Sequence, residues 1–310
     1  MAKRRGQPVH GWVNLDKPPG ISSAKAVAIV RRVFDAIKAG HGGTLDPLAS
    51  GVLPIALGEA TKTVSYAMGK SKSYEFSLAW GSETSTDDTE GEVTRQSDIR
   101  PSADHIDWAL AQFQGMIDQV PPDYSAIKIE GARAYDLARQ AGAGQSLPAL
   151  QPRKVQIDQC WRLESNQAGA RFFVGCGKGT YIRALARDLG RALGSAAHVT
   201  SLRRLSVGKF HANNAISLDF LEKLTHSSAA FEHLHPVLSA LDDIPALPIS
   251  RAEARKLRHG QKLPALGATA QQRFAMLMTG GTAIAVEGET PIALVALKAG
   301  AICPVRVLNL

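Results

Sequence analysis

The chain is poor in the residues that build covalent or membrane frameworks. Its three cysteines, Cys160, Cys176 and Cys303, are too few and too scattered for a disulfide scaffold or a zinc knuckle. Each reads as a small buried hydrophobe in a reduced, cytoplasmic protein. No apolar run approaches the roughly 18 residues of a membrane span, so no membrane partner is expected. The start, MAKRRGQPVHGW, is basic but has no apolar stretch; it is no secretory signal and reads as a short arm that could touch phosphate. No internal repeat or low-complexity tract interrupts the 310 residues, a length that suggests one large domain plus a small one. Negative charge is also in deficit. With 28 Asp and Glu against 36 Lys and Arg, the formal net charge of +8 favours a polyanionic partner, nucleic acid before membrane.

One stretch organises the rest. Gly40 to Lys62 reads GHGGTLDPLASGVLPIALGEATK, with a single carboxylate, Asp46, at its centre. Gly40, Gly42 and Gly43 precede it and Pro47 follows. Glycine opens backbone conformations closed to other residues, and proline fixes φ and biases the residue before it away from helix. A lone Asp on so constrained a loop is aimed at something. The plain alternative is an Asp-Pro turn that opens a helix-like run from Ala49 to Leu57. His41, Thr44, Ser50 and Gly51 favour function, because a turn would work without polar groups crowding it.

In chain order, Gly11 to Asp16 reads as a strand stopped by Lys17-Pro18-Pro19-Gly20. Ser22 or Ser23 caps a helix over Ala24 to Phe34, with Val27, Val30, Val33 and Phe34 at helical spacing. In Lys70 to Trp80, Tyr74, Phe76, Leu78 and Trp80 alternate with smaller or polar residues, the period of a half-buried strand. On that pattern alone Tyr74 is core. Glu83 to Glu92, ETSTDDTEGE, reads as a solvated acidic loop; the alternative is a metal site or a glycosidase pair at Asp87 and Asp88. A capped helix follows from Ser102 to Phe113.

Tyr124 to Ile129 is strand-like, and Arg133 to Ala141 reads as a short basic helix. Lys128, Arg133, Arg139, Arg153 and Lys154, interleaved with Tyr124 and Tyr135, suit backbone tracking plus base stacking on a single strand; a solvated charged face is the alternative. Val155 to Leu163 and Arg171 to Cys176 form a hairpin. Gly177-Lys178-Gly179-Thr180 is no P-loop, because Gly follows the Lys where Ser or Thr must hold Mg²⁺. The next helix turns Ile182, Leu185, Ala186 and Leu189 inward, with Arg183 and Arg187 one turn apart on another face. Such arginines usually meet solvent or an i,i+4 partner. Leu202 suits a core position, and Arg203 and Arg204 are natural phosphate contacts. Leu218 to Asp243 is a helical connector. From Leu247 come a helix, Arg251 to Gly260, and short strands at Phe274 to Met278, Thr282 to Val286 and Pro291 to Leu297.

HGGTLDPLASGVLPIALGEATK resembles the signature loop of the TruB-type tRNA pseudouridine synthases, and NLDKPPGISS, K-S-Y at Lys72 to Tyr74, P-P-D-Y-S-A-I-K, KGTYIR and AHVTSLRRLSVG are similar to the family's other motifs in the family's order. One position departs: Gly42 stands where the family usually has Thr. The resemblance covers residues 10 to 210 and, more loosely, the tail. It implies an α+β fold with a mainly antiparallel central sheet. It also implies a catalytic domain over residues 1–246 with an RNA-gripping thumb at about 120–154, and a PUA-like RNA-binding β domain over 247–310. That last domain reads equally as a small β-barrel cap. The implied reaction converts uridine 55 in the TΨC arm of tRNA to pseudouridine.

The resemblance makes Asp46 the catalytic carboxylate, Arg183 its ion-pair partner and Tyr74 the ring stacked on the target base. His41, Tyr181, Leu202, Lys128 and Arg203 are implied substrate contacts. The reaction breaks N1–C1′, turns the uracil and rejoins it through C5 with no net change of atoms or electrons, so no cofactor and no metal is expected. Attack on the sugar, attack on the base and proton abstraction to a glycal are all open to such a carboxylate. No guide RNA is expected, and monomer is the default. Rival readings are a tRNA-folding protein, a guide-dependent synthase and, last, a glycosidase using Asp46 with Asp87 or Asp88.

Overall fold

The computed structural model describes residues 6–125, 150–265 and 281–310, together with the backbone of two short paired strands, Lys128–Ile129 and Ala132–Arg133. A ten-stranded sheet forms the body. Its main path runs Ile216–Ser217, Gly11–Lys17, Ser50–Leu57, Ala197–Val207, Lys72–Trp80, Gly169–Cys176, Arg153–Ser165, Gly115–Gln119. Most neighbours are antiparallel, as expected. A parallel seam sits mid-sheet, where Ala197–Val207 meets Ser50–Leu57 with Arg203 opposite Ser50 and Arg204 opposite Gly51. The Asp46 loop enters the sheet at that seam.

Alternation explains the strand Lys72–Trp80: Tyr74, Phe76, Leu78 and Trp80 are buried, and the residues between them are half-exposed. Phe76 stacks on Phe172 of the neighbouring strand, with ring centroids 5.1 Å apart. The helix Ser23–Val33 begins at Ser22, whose hydroxyl accepts from Lys25 N. Together with the helix Ile182–Ala192 it contributes to the main core.

The helix-like reading of Ala49 to Leu57 is corrected. Ser50–Leu57 is a strand, fully buried from Gly51 onward. A strand covered on both faces loses the two-residue alternation and shows a continuous apolar run, while Pro54 would have broken a helix interior. The central strand Ala197–Val207 carried no legible period either, because bulges between Val199 and Ser201 and between Arg204 and Ser206 interrupt its alternation.

The expected helix from Arg133 is corrected at its first residue, which lies in the strand Ala132–Arg133. The remainder of that helix, the Lys128 side chain and the expected strand at Phe274 to Met278 lie outside the described residues.

A separate five-stranded sheet forms the tail, in the order Ala246–Pro248, Thr282–Glu287, Thr290–Lys298, Ala301–Val307, Leu263–Pro264. The helix Arg251–Arg258 packs on it through Ala254 and Leu257 and starts with a Ser250–Glu253 capping box. Ile284, Leu294 and Leu308 join Trp12, Val52 and Val237 in one apolar cluster, which seats this sheet against the body. Lys62 Nζ donates to Val307 O at 2.7 Å, and Asn309 N donates to Glu59 at 2.8 Å across the same contact. Among the described residues, no helix is long and apolar enough to cross a membrane.

Candidate active site

The Asp46 loop is held from several sides by its own backbone. Pro47 shapes a turn closed by Ala49 N donating to Asp46 O at 3.1 Å. The Ser23 hydroxyl donates to Leu45 O and accepts from Leu45 N, both at 2.8 Å. Gly20 N donates to Pro47 O at 2.8 Å, so the Lys-Pro-Pro-Gly turn buttresses the loop. Lys17 Nζ, fully buried, donates to Pro18 O, Ile21 O and Pro47 O. Burial lowers its pKa to about 8, opposed by the Asp46 charge. The NLDKPPGISS run is thus structural support. Gly42 packs beneath Trp12, Pro54 and Ala67, with the nearest carbon only 3.3 Å from where a Cβ would stand. A threonine there would enter an apolar corner.

Arg183 is the expected partner. Its Nε lies 2.8 Å from Asp46 Oδ2. The rest of the guanidinium is engaged too: Nη1 donates to Thr86 O at 2.6 Å and lies 3.4 Å from Asp88, and Nη2 donates to Tyr124 O at 3.0 Å. The arginine side chain is 5% exposed and that of Asp46 is 34% exposed. The cation is therefore fixed inside the protein, while the carboxylate keeps a face toward solvent.

The acidic run Glu83 to Glu92 is a solvated loop only at its far end, where Thr89, Glu90 and Glu92 are exposed. Glu83, Thr84, Asp87 and Asp88 are buried. The helix Ile182–Ala192 presents Arg183, Arg187 and Arg191 at four-residue intervals, and each finds an acid in this run. Arg183 meets Asp88, Arg187 meets Asp87 at 2.8 Å, and Arg191 meets Glu83 at 2.6 Å. Arg95 adds a second fork onto Glu83. Burial pushes the Glu83 carboxyl up, but its bonds to Arg191 and Arg95 prevail and hold it below the usual range. Asp87 and Asp88 are both buried and paired with arginines, so neither faces solvent as a glycosidase partner for Asp46. The complementary spacing of three arginines and the acidic run was visible in the sequence; its partners simply lie 100 residues apart.

Burial raises Asp87 from 3.8 to about 6, against the pull of Arg187 and Arg183. The folded carboxyl therefore binds its proton more tightly than the unfolded one. That linkage favours folding below about pH 4 and is lost as pH rises to about 6. Asp87→Asn cannot ionise and lacks the step. The stability of the parent relative to Asp87→Asn is expected to fall by up to about 3 kcal/mol between pH 4 and 6.5, measured by urea unfolding. Parallel pH profiles would contradict this.

The other expected site residues distribute unevenly. Tyr74 is buried, and burial raises its pKa, with Arg204 and Asp46 among the charges it senses. Tyr181 is half-buried and senses both Asp46 and Arg183; its backbone exchanges two hydrogen bonds with the Gln119 side chain. His41 ends the strand Ala39–His41 at the loop entrance, and its buried Nδ1 has no hydrogen-bond partner among the described residues. Burial, then Arg204, lowers its pKa. Leu202 packs in the main core opposite Phe76.

Of the two expected phosphate contacts, Arg204 is corrected by its burial, while Arg203 stays partly exposed. Arg203 directs its fork onto Asp16, at 2.8 and 3.0 Å. Arg204 is 1% exposed and donates to the carbonyls of Val52, Gly43 and Thr44. Ser23, Asp88, Arg187 and Arg204 are the site-building residues whose places were not anticipated.

Residues 31–182 match the TruB family pseudouridylate synthase N-terminal domain, and residues 183–244 the tRNA pseudouridylate synthase B C-terminal domain. The chain belongs to the TruB family. A tRNA pseudouridine synthase B from Rhodospirillum rubrum is 49% identical over 309 residues, covering 99% of each chain. One from Caulobacter sp. is 46% identical over 313 residues, covering 100% of each. Among solved structures, the chain is similar to one in a Cbf5-Nop10-Gar1 complex, with TM-score 0.69, 27% identity and coverage of 96% of this chain and 84% of that one. A chain of the archaeal box H/ACA sRNP Nop10-Cbf5 complex, at 24% identity and TM-score 0.69, shares the fold over 96% of this chain and 85% of its own. As a TruB-family member the chain is an isomerase that forms pseudouridine in tRNA. The family's division at 182 and 183 falls within the helix Ile182–Ala192, so the two matched regions share one sheet and one core.

Proposed function

We propose that the chain isomerises uridine 55 in the TΨC arm of tRNA, with Asp46 as the reacting carboxylate. The observation that carries this is the Asp46–Arg183 pair, a carboxylate open to solvent on one side and bound to a buried, fully engaged guanidinium on the other. The reaction requires a carboxylate at the sugar and base, a cation to hold it, and walls that keep the uracil while it turns. Arg183 holds the carboxylate and fixes its direction, so little reorganisation accompanies the reaction. Tyr74, Tyr181 and Leu202 are the proposed walls and His41 a contact at the loop entrance.

A T-loop uridine must leave its stack, at roughly a few kcal/mol. Cations on the 120–154 segment, Lys128 among them, and the tail domain, read as PUA-like from residue 247, would offset this by binding the RNA backbone. Arg203, partly exposed beside Asp16, is a proposed phosphate contact. The chain is read as a monomer acting in the cytoplasm without a guide RNA.

The test is pseudouridine mapping, by position, on an unmodified tRNA transcript treated with the purified protein alone. Conversion is expected at uridine 55, and a transcript with cytidine at 55 is expected to remain unmodified. Conversion elsewhere, with uridine 55 untouched, would overturn the assignment.

A further inference from the structure

Arg204 carries a buried positive charge with no carboxylate within ion-pair distance among the described residues. It is 1% exposed, and its bonds end on backbone carbonyls: Nε on Val52 at 2.7 Å, Nη2 on Gly43 at 3.0 Å and Nη1 on Thr44 at 3.3 Å. A buried ion is costly unless it is well bonded, and an apolar side chain of equal volume usually serves stability as well or better. Its charge reaches its neighbours. After burial itself, Arg204 is the next cause lowering both His41 and Lys72.

Strand register explains what this cation joins. Arg204 is the Cα partner of Tyr74 on one side and of Gly51 on the other. Partners on adjacent antiparallel strands share a face, with Cβ atoms roughly 4.5–5.5 Å apart. The Arg204 side chain thus starts beside Tyr74, whose phenol senses its charge, and its guanidinium ends on the carbonyls of Gly43 and Thr44, just before Leu45 and Asp46. Gly51 makes the approach possible: its φ is +100°, and a Cβ there would stand 2.2 Å from the Arg204 carbonyl oxygen.

We infer that Arg204 is a positioning residue for the isomerisation, one planar fork that holds the Asp46 loop and the Tyr74 phenol at a fixed separation. The inference rests on the reading of Asp46 and Tyr74 as site residues. A lysine ammonium keeps the charge beside Tyr74 but cannot serve the carbonyls of Val52, Gly43 and Thr44 from one plane. Movement of either group by about 1 Å can slow a reaction roughly 100-fold.

The experiment compares Arg204→Lys with the parent, and repeats the pair in a Tyr74→Phe background. Rates come from tRNA conversion, with long single-turnover incubations for the slow variants and unfolding curves alongside. Arg204→Lys is expected to lower kcat by about 100-fold and leave KM within about threefold. In the Tyr74→Phe background the same change is expected to lower it by only about tenfold or less, because linked groups are non-additive. A parent-like kcat in a folded Arg204→Lys would overturn the inference. So would equal losses in the two backgrounds, which is what general loosening of the sheet gives. Conversion persisting in Asp46→Asn would overturn the site reading itself. An inactive Asp46→Asn beside a fully active Arg204→Lys would remove only the role of Arg204.

Discussion

Arg183→Met is expected to slow pseudouridine formation by at least about 100-fold and to destabilise the fold by roughly 3–5 kcal/mol. Methionine fills most of the stem's volume but offers no donor. Thr86 O and Tyr124 O lose their bonds, Asp46 loses the partner that sets its direction, and Asp88 is left as a buried charge facing a thioether. Because Arg183 is buried, its removal is expected to change tRNA affinity little. Single-turnover conversion and urea unfolding read the two effects separately. A stable variant with the parent's rate would show that the guanidinium neither orients Asp46 nor neutralises Asp88.

Asp88→Ala is expected to destabilise by a comparable amount, again roughly 3 kcal/mol or more, but to slow the reaction less, by about tenfold. Its carboxylate accepts from Thr86 Oγ1 and Glu90 N and lies 3.4 Å from Arg183. Removing it loosens the turn while Arg183 still reaches Asp46. The double variant Arg183→Met with Asp88→Ala is expected to be more stable than Arg183→Met alone, since it removes the orphaned charge. A double variant whose destabilisation is the sum of the two would contradict the pairing.

Much of this molecule is legible in its sequence, and the parts that are not share a physical cause. Alternation exposed the strand of Tyr74, Phe76, Leu78 and Trp80, and the serine caps marked the helices over Ser23–Val33 and Ala103–Leu110. Ser50–Leu57 was misread because burial on both faces erases the two-residue period. The acidic run was misread because a carboxylate looks solvated until its partner is known, and Asp87 meets Arg187 across 100 residues. Arg203 and Arg204 looked alike as free cations. Only the sheet's register shows that one lies at Asp16 and the other beneath the Asp46 loop. The resemblance of the loop motifs named Asp46 and Arg183 together. Spacing alone could name Asp46 and left Arg183 as one arginine among several.

The most direct measurement is conversion of an unmodified tRNA transcript by the parent beside Asp46→Asn, mapped by position, with tRNA binding measured on both. Asparagine keeps the shape and one acceptor oxygen but not the charge that Arg183 holds. Conversion at uridine 55 by the parent alone, with similar binding by both, is the predicted result. Conversion by Asp46→Asn at the parent's rate would contradict the account, because the reacting group would then lie elsewhere.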